Sequence, residues 1–149
     1  MIAAPSAPGL HITEHFTLDE FAQPQRYGCP ALAYPWQWVS ERLLPLCQML
    51  ERVRQACAGR SVLVCSGYRS LVYNTRMGGA VDSQHCQGRA ADVLVDGLLV
   101  SDVRHVVEQL LMDGSLPLLK GVGIYPTFLH LDCRPGSALV HWTGTRRVT

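Results

Sequence analysis

The sequence lacks several patterns that would each point to a broad class of protein. No apolar run approaches the roughly 18 residues that a membrane-spanning helix needs. The first residues, MIAAPSAPGLHITEHF, contain neither a basic segment nor a following apolar segment, so no secretory signal is visible. The formal net charge is only +1, which gives no electrostatic reason for binding nucleic acid or an anionic membrane. We therefore expect no nucleic-acid partner and no insertion into a membrane.

The six cysteines lack the spacing of a zinc ribbon or of a thioredoxin-like motif, because no CxxC pair occurs. Cys47 and Cys57 fall within one predicted helix, about 15 Å apart along its axis, whereas a disulfide needs α-carbons within roughly 7 Å. Cys65 lies in an apolar run, as a small core residue does. We expect most of the cysteines to be reduced and structural.

The length of 149 residues suits one domain with a substantial core, and the composition is that of an ordinary globular protein, 48% apolar and 17% charged. Residues 1–14 are predicted to form a loose N-terminal arm, residues 15–143 the folded domain and residues 144–149 a frayed tail. The protein is expected to be a monomer.

Three helices are predicted from capping residues and apolar periodicity. The TLDEF sequence at 17–21 fits a capping box that opens a short helix. An apolar stripe over residues 39–57 indicates a longer helix, which begins or is kinked at Pro45. Ser101 is predicted to cap a further helix that stops at Gly114.

Strands are predicted at 61–66, at 89–95 and at 121–132, the last of them broken near Pro126, while residues 23–36 are expected to be irregular. Helices that pack against a small and mainly antiparallel sheet make an α+β fold.

The stretch SQHCQGRAAD, residues 83–92, places a histidine and an aspartate seven positions apart. Gly88, Ala90 and Ala91 remove bulk between His85 and Asp92, as a chain that folds tightly around an ion requires. Asp92 also lies in an apolar strand, where an unpaired carboxylate is unfavourable unless something compensates for its burial. A metal ion is one compensation and an arginine is another. A surface histidine followed by a strand-end aspartate remains the alternative interpretation of the pair.

The sequence FLHLD supplies a second histidine on a β-type run. Since side chains alternate between the faces of a strand, His130 and Asp132 point to one face while Leu129 and Leu131 point to the other. Two histidines, one aspartate and an open fourth position match a catalytic zinc site.

Several short motifs, taken together, resemble the zinc D-Ala-D-Ala carboxypeptidase family. In chain order they are HFTLDEF (15–21), SGYRS (66–70), Asn74, GG (78–79), SQHCQGRAAD (83–92) and FLHLDCR (128–134). They span nearly the whole chain. The resemblance implies a fold shared with the Hedgehog signalling domain. It also implies a peptidase that cleaves the short D-amino-acid-containing peptides of bacterial cell walls, as a D-Ala-D-Ala carboxypeptidase or an endopeptidase, in a family that includes phage lysins.

Carried over to this chain, the resemblance implies that His85, Asp92 and His130 bind zinc, the expected cofactor. Arg69 would meet a substrate carboxylate or stabilise the developing oxyanion. Ser83 would support the loop that carries the first ligand, on the substrate-binding side of the site. The expected partners are peptidoglycan stem peptides or muropeptides.

The chain departs from the family pattern at Thr127, where several relatives carry a glutamate or another acid–base residue three positions before the last histidine ligand. Threonine cannot serve as a base. Asp132 is a candidate proton acceptor, since it shares a strand face with His130, but it could instead only orient a ligand histidine.

The sequence therefore favours a zinc-dependent peptidase that acts on cell-wall peptides. A zinc-containing module that binds cell wall or protein without hydrolysis is the first alternative, which Thr127 encourages, and a metal-free structural domain is the second. The missing signal peptide fits a phage product released through a holin, and it fits a cytoplasmic enzyme equally well.

Overall fold

A five-stranded sheet forms the centre of the computed structural model, which describes residues 9–23 and 32–145. In chain order the strands are β1 (Val62–Ser66), β2 (Ala90–Val95), β3 (Gly121–Ile124), β4 (Leu129–Asp132) and β5 (Val140–Thr143). They lie side by side in the order β1-β2-β4-β3-β5. Strands β3 and β5 run parallel, and the other neighbouring pairs are antiparallel. The predicted α+β class, with a small and mainly antiparallel sheet, is confirmed.

The predicted strands at 61–66 and 89–95 correspond to β1 and β2. The predicted run at 121–132 forms the hairpin of β3 and β4, and Pro126 lies in the connection between them, where its missing N–H removes no ladder hydrogen bond. Strand β5 is a strand that the sequence patterns did not predict. It lies at the edge of the sheet, and most of its residues are exposed.

The helices are α1 (Leu18–Phe21), α2 (Trp36–Trp38), α3 (Leu44–Ala56), α4 (Leu71–Arg76) and α5 (Val100–Met112). A π-helical turn, Val39–Leu43, joins α2 to α3, and the backbone N–H of Leu44 bonds to the carbonyl of Val39 across it. Regular α-helix therefore begins beside Pro45, as the sequence predicted, because proline has no N–H to continue the preceding ladder. Residues 24–31, most of the segment predicted to be irregular, lie outside the described residues.

The caps of the helices follow the sequence in part. The Glu20 carboxylate accepts a hydrogen bond from the backbone N–H of Thr17 at 2.6 Å, which confirms the capping interaction before α1. The prediction that Ser101 caps α5 is wrong. The residue before α5 is Leu99, whose N–H donates to the Asp102 carboxylate at 3.0 Å. A carboxylate that reaches back from the first turn makes a polar side chain at the cap position unnecessary.

The two longest helices, α3 and α5, pack against one face of the sheet and form the main apolar core. Helix α5 ends where predicted, because Gly114 follows it with a φ of +78°, a conformation that glycine adopts without strain. Among the described residues, no helix has the length and apolar character needed to span a bilayer. The opposite face of β2 and β4 carries buried polar side chains, and these define the candidate site.

Candidate metal centre

The candidate site is built by a short turn and by the two central strands. His85 lies in a 3₁₀ turn, Gln84–Gln87, just before β2. The Ser83 hydroxyl accepts a hydrogen bond from the backbone N–H of His85 at 3.3 Å and so caps this turn. Asp92 on β2 and His130 on β4 are directly opposite each other in the antiparallel register. The three predicted ligands are thus brought together by one local turn and one strand pairing.

Gly88 shows why the segment between the ligands is made of small residues. It ends the 3₁₀ turn with a φ of +67°, in the left-handed region. A Cβ at this position would lie 2.9 Å from the ring of Tyr34, whose hydroxyl donates to the Gly88 carbonyl at 3.0 Å. A larger residue would therefore push the ligand turn away from the core.

Three potential ligand atoms converge at the centre of the site. The Nε2 atom of His85 is 3.0 Å from Oδ1 of Asp92 and 3.1 Å from Nδ1 of His130, and the latter two atoms are 3.0 Å apart. All three residues are at least 94% buried, with exposures of 1%, 3% and 6% in sequence order. Ligand atoms at zinc–ligand distances of about 2.0–2.1 Å in a tetrahedral site lie about 3.3 Å apart, so this arrangement is close to the size of a zinc centre.

Hydrogen bonds on the outer side of both imidazoles decide which nitrogens carry protons. Nδ1 of His85 lies 2.7 Å from the carbonyl oxygen of Gly67, which can only accept, so Nδ1 donates. Nε2 of His130 likewise donates to Oδ2 of Asp132 at 2.8 Å. In neutral imidazoles the two inner nitrogens then present lone pairs, and they face each other and a carboxylate oxygen. A metal cation satisfies all three atoms at once, which makes these residues a good fit for zinc.

The charge states of the ligands follow from burial and from their partners. Burial lowers the pKa of His85 below its ordinary value and so favours the neutral ring that a metal requires. Burial acts to raise the pKa of Asp92, but the two histidines outweigh it and hold the pKa well below the usual range. Burial also acts to lower the pKa of His130, but hydrogen bonds to Asp132 and Asp92 outweigh it and raise the pKa. A proton and a metal ion therefore compete for the inner nitrogen of His130.

Arg69 lies behind Asp92 rather than in open solvent. Its side chain is 2% exposed, and Nη2 donates to the second oxygen of Asp92 at 2.9 Å. Nε donates to the Ser66 hydroxyl at 2.9 Å and Nη1 to the Asn74 amide oxygen at 3.3 Å. The backbone N–H of Arg69 also bonds to the carbonyl of His85 at 3.1 Å. One arginine thus fixes the aspartate ligand and the turn that carries the first histidine.

Asp132 occupies the equivalent position behind His130. Its carboxylate is 0% exposed and receives hydrogen bonds from Arg134 at Oδ1 (Nε, 2.9 Å; backbone N–H, 3.1 Å) and at Oδ2 (Nη2, 2.7 Å). Burial acts to raise the pKa of Asp132, but Arg134 and His130 outweigh it and hold the pKa well below its usual range. Gly121 faces this carboxylate from β3, and a Cβ there would overlap its oxygens.

A cavity of about 280 Å³ opens in front of the two histidines. The predicted site residues Arg69, Ser83, His85 and His130 line it. The other lining residues are Gly78, Gly79, Ala80, Asp82, Gln84, Tyr125, Arg134, Trp142 and Thr145. Both histidines of the candidate ligand set therefore form part of the cavity wall.

Residues 14–132 match the model of a protein family described as Peptidase M15. The chain belongs to the peptidase M15 family. This is the zinc D-Ala-D-Ala carboxypeptidase-type family that the sequence motifs resemble, and its peptidases are zinc-dependent. None of the curated proteins compared with the chain is similar enough to count as a relative.

The M15 chain has further cavity residues that sequence reasoning missed. The ring of Trp142 lies 5.0 Å from that of His130, and its Nε1 donates to the hydroxyl of Tyr125 at 2.9 Å. Trp142 is on β5, opposite Gly123, where a Cβ would lie 2.6 Å from the indole. The glycines of the KGVG sequence were the available signal, because each makes room for one large group on a neighbouring strand. Arg134 ends the FLHLDCR motif, and the sequence predicted no role for it.

Proposed function

We propose that the protein is a zinc-dependent peptidase that hydrolyses peptides of the bacterial cell wall, as a D-Ala-D-Ala carboxypeptidase or as an endopeptidase. The observation that supports this proposal is the convergence of lone pairs from His85, Asp92 and His130 at the base of an open cavity. Membership of the M15 family supplies the class of reaction.

Under this proposal the three residues hold zinc, which when bound polarises the scissile carbonyl and lowers the pKa of a bound water towards about 7. The chain's own contribution is to hold the ligands rigidly. Gly67 and Asp132 fix the orientation of the two imidazoles, and Ser83 holds the turn beside the cavity. Such outer contacts typically matter because they keep each ligand in one orientation before the metal binds.

Arg69 is proposed to stabilise the negative charge that develops on the carbonyl oxygen during hydrolysis. It lines the cavity, and its contacts with Asp92, Ser66 and Asn74 hold the guanidinium in one place. A preorganised positive group in a buried site stabilises a developing oxyanion more strongly than a mobile group in water.

The sequence left two roles open for Asp132, and its contacts favour the second of them. A proton acceptor has to reach water in the cavity, whereas both oxygens of Asp132 are occupied by His130 and Arg134 and the residue is fully buried. Its contact is also with Nε2 of His130, the nitrogen on the far side from the converging ligand atoms. We therefore propose that Asp132 orients His130.

A zinc-containing binding module is the second candidate function, because Thr127 stands where several relatives have an acid–base residue. Such a module would use the same metal and the same cavity. Hydrolysis alone distinguishes it from the proposed peptidase.

The test is mass spectrometry of purified muropeptides incubated with the zinc-loaded protein. The expected result is a shortened stem peptide together with the released fragment, whose mass identifies the bond that is cleaved. His85→Ala should abolish the products, while His105→Ala, which changes an exposed histidine on α5, should not. Intact muropeptides after incubation with a folded, zinc-loaded protein would contradict hydrolysis and leave the binding module.

A further inference from the structure

Two arginines among the described residues line the cavity, and they differ in how much of each side chain is exposed. The side chain of Arg69 is 2% exposed and that of Arg134 is 26% exposed. We propose that Arg134 binds a carboxylate of the peptide substrate close to the scissile bond and so determines which peptides are cleaved. This proposal rests on the peptidase function proposed above.

The hydrogen bonds of Arg134 leave one end of its guanidinium available. Nε and Nη2 both donate to Asp132, and Nη1 makes no hydrogen bond with any residue that the structure describes. Arginine is suited to this arrangement, because its planar fork can bind two groups on different edges at the same time. A substrate carboxylate at Nη1 would receive a charge-assisted hydrogen bond, which is roughly twice as strong as a neutral one.

Arg134 is also held in place before any substrate arrives. The fully buried carboxylate of Asp132 accepts hydrogen bonds from the backbone N–H of Arg134 as well as from its guanidinium. The guanidinium carbon lies 5.4 Å from the centre of the Trp142 ring, within the distance of a cation–π contact. A side chain that is already ordered loses less entropy on binding, so more of the interaction with the carboxylate contributes to affinity.

The formal charges around the site favour an anionic group. Each buried aspartate is offset by one arginine, Asp92 by Arg69 and Asp132 by Arg134. Zinc would add two positive charges, and Asp82 on the lining offsets only one of them. The cavity of the metal-loaded protein is therefore net positive, and it attracts a carboxylate more than a neutral amide.

The contacts also restrict where the carboxylate sits along the substrate. His130 and Arg134 both contact Asp132, at 2.8 Å and 2.7 Å, and the Trp142 ring lies near both side chains. The proposed zinc would lie beside His130, so the carboxylate that Arg134 binds belongs to a residue near the scissile bond. Two sources have this chemistry, the C-terminal carboxylate of a stem peptide and the free carboxylate of its D-glutamate.

Three synthetic peptides distinguish these sources. They are L-Ala-γ-D-Glu-L-Lys-D-Ala-D-Ala as the free acid, the same peptide as its C-terminal amide, and the analogue with D-isoglutamine in place of D-glutamate. The zinc-loaded protein should cleave one neutral analogue about 10- to 100-fold less efficiently than the free acid in kcat/KM, because one charge-assisted hydrogen bond is lost. The neutral analogue with the lower kcat/KM identifies the carboxylate that Arg134 binds. Equal cleavage of all three, within about twofold, would overturn the proposal.

Arg134→Gln tests the assignment to this residue, with zinc content measured for each variant. If Arg134 binds the carboxylate, the preference for the free acid should fall to nearly one. If it only supports Asp132, activity on all three peptides should fall by the same factor and the preference should remain, which would overturn the proposal. Arg134→Lys keeps the positive charge, so it should retain part of the preference for the free acid. This variant replaces Arg134→Gln if Arg134→Gln does not fold. Arg104→Gln removes an exposed charge from α5 and should change nothing.

Calorimetric binding of the same peptides separates this proposal from the peptidase function. Should the parent protein cleave none of them, the proposed function fails. Carboxylate recognition would then still be supported if the free acid binds more tightly than a neutral analogue and if Arg134→Gln abolishes this difference. Identical binding of all three peptides would overturn the proposal.

Discussion

The two faces of strands β2 and β4 carry opposite chemistry. The face towards α3 and α5 is apolar, and its central residues are Ala91, Val93, Leu129 and Leu131. The face towards the cavity carries Asp92, His130 and Asp132, which are just as deeply buried. Alternate residues of the same two strands therefore face a hydrophobic core on one side and a polar centre on the other.

The two faces are held together by different forces. Packing on the helix side is non-directional, so a volume-conserving apolar exchange there usually has a small effect. On the cavity side every buried polar atom needs its own partner, because leaving one unpaired costs about 1–3 kcal/mol. Changes on the helix side should therefore alter stability, whereas changes on the cavity side should alter metal binding and activity.

The largest effect is expected from His130→Ala on the cavity face. It removes one of three converging ligand atoms, so the metal content should fall from close to one zinc per chain to nearly none, and hydrolysis should fall to background. Elemental analysis of protein purified without chelator measures this, with His105→Ala as the control. A variant that keeps its zinc would contradict the ligand assignment.

Leu131→Ala tests the opposite face of the same strand. Leu131 is 0% exposed, and a cavity left among α3, α5 and the sheet should lower the free energy of unfolding by about 2–5 kcal/mol. Zinc content of the folded fraction should be unchanged, because no ligand contact involves this side chain. Urea unfolding together with zinc analysis checks both halves of the expectation. Leu71→Ala, at an exposed position, is the control for side-chain size. Loss of zinc without loss of stability would show that the faces are not independent.

Asp132→Asn tests which role Asp132 has on the cavity face. If Asp132 orients His130, zinc affinity should fall roughly 10- to 100-fold and activity should recover when zinc is added in excess. If Asp132 were the general base, kcat should instead fall by about 10² or more at every zinc concentration. Activity measured against zinc concentration distinguishes the two roles, and Asp96→Asn at an exposed site is the control. A variant that matches the parent throughout would exclude both.

The difference between the faces also explains what the sequence could predict. Strand alternation in FLHLD is a local property, and it placed His130 and Asp132 on one face and the leucines on the other. The spacing of SQHCQGRAAD reflects a single turn, so His85 and Asp92 could be paired from the sequence. Strand β5 could not be predicted in this way, because it pairs in parallel with β3 and depends on long-range contacts.

The partners of the arginines also could not be predicted from the sequence, because they too depend on long-range contacts. Asp92 was expected to need either a metal or an arginine, and the structure places both a potential metal site and Arg69 around its two oxygens. Which oxygen faces which partner depends on tertiary contacts that no sequence spacing encodes. The cavity wall formed by Tyr125 and Trp142 likewise joins a residue of the β3–β4 connection to a residue of β5, 17 positions further along the chain.

The smallest effect is expected at that wall, from Trp142→Phe. Phenylalanine keeps an aromatic ring beside His130 but loses the indole N–H that donates to Tyr125. Since this hydrogen bond is partly exposed and neutral, its loss should cost about 0.5–1.5 kcal/mol. We expect KM to rise about two- to tenfold, because the wall that positions the substrate loosens, while kcat and zinc content stay near those of the parent. Steady-state kinetics on the free-acid peptide measures this, with Trp36→Phe as the control for an exposed tryptophan elsewhere. A fall in zinc content instead would show that Trp142 supports His130 directly, and the wall would then belong to the metal centre rather than to the substrate side.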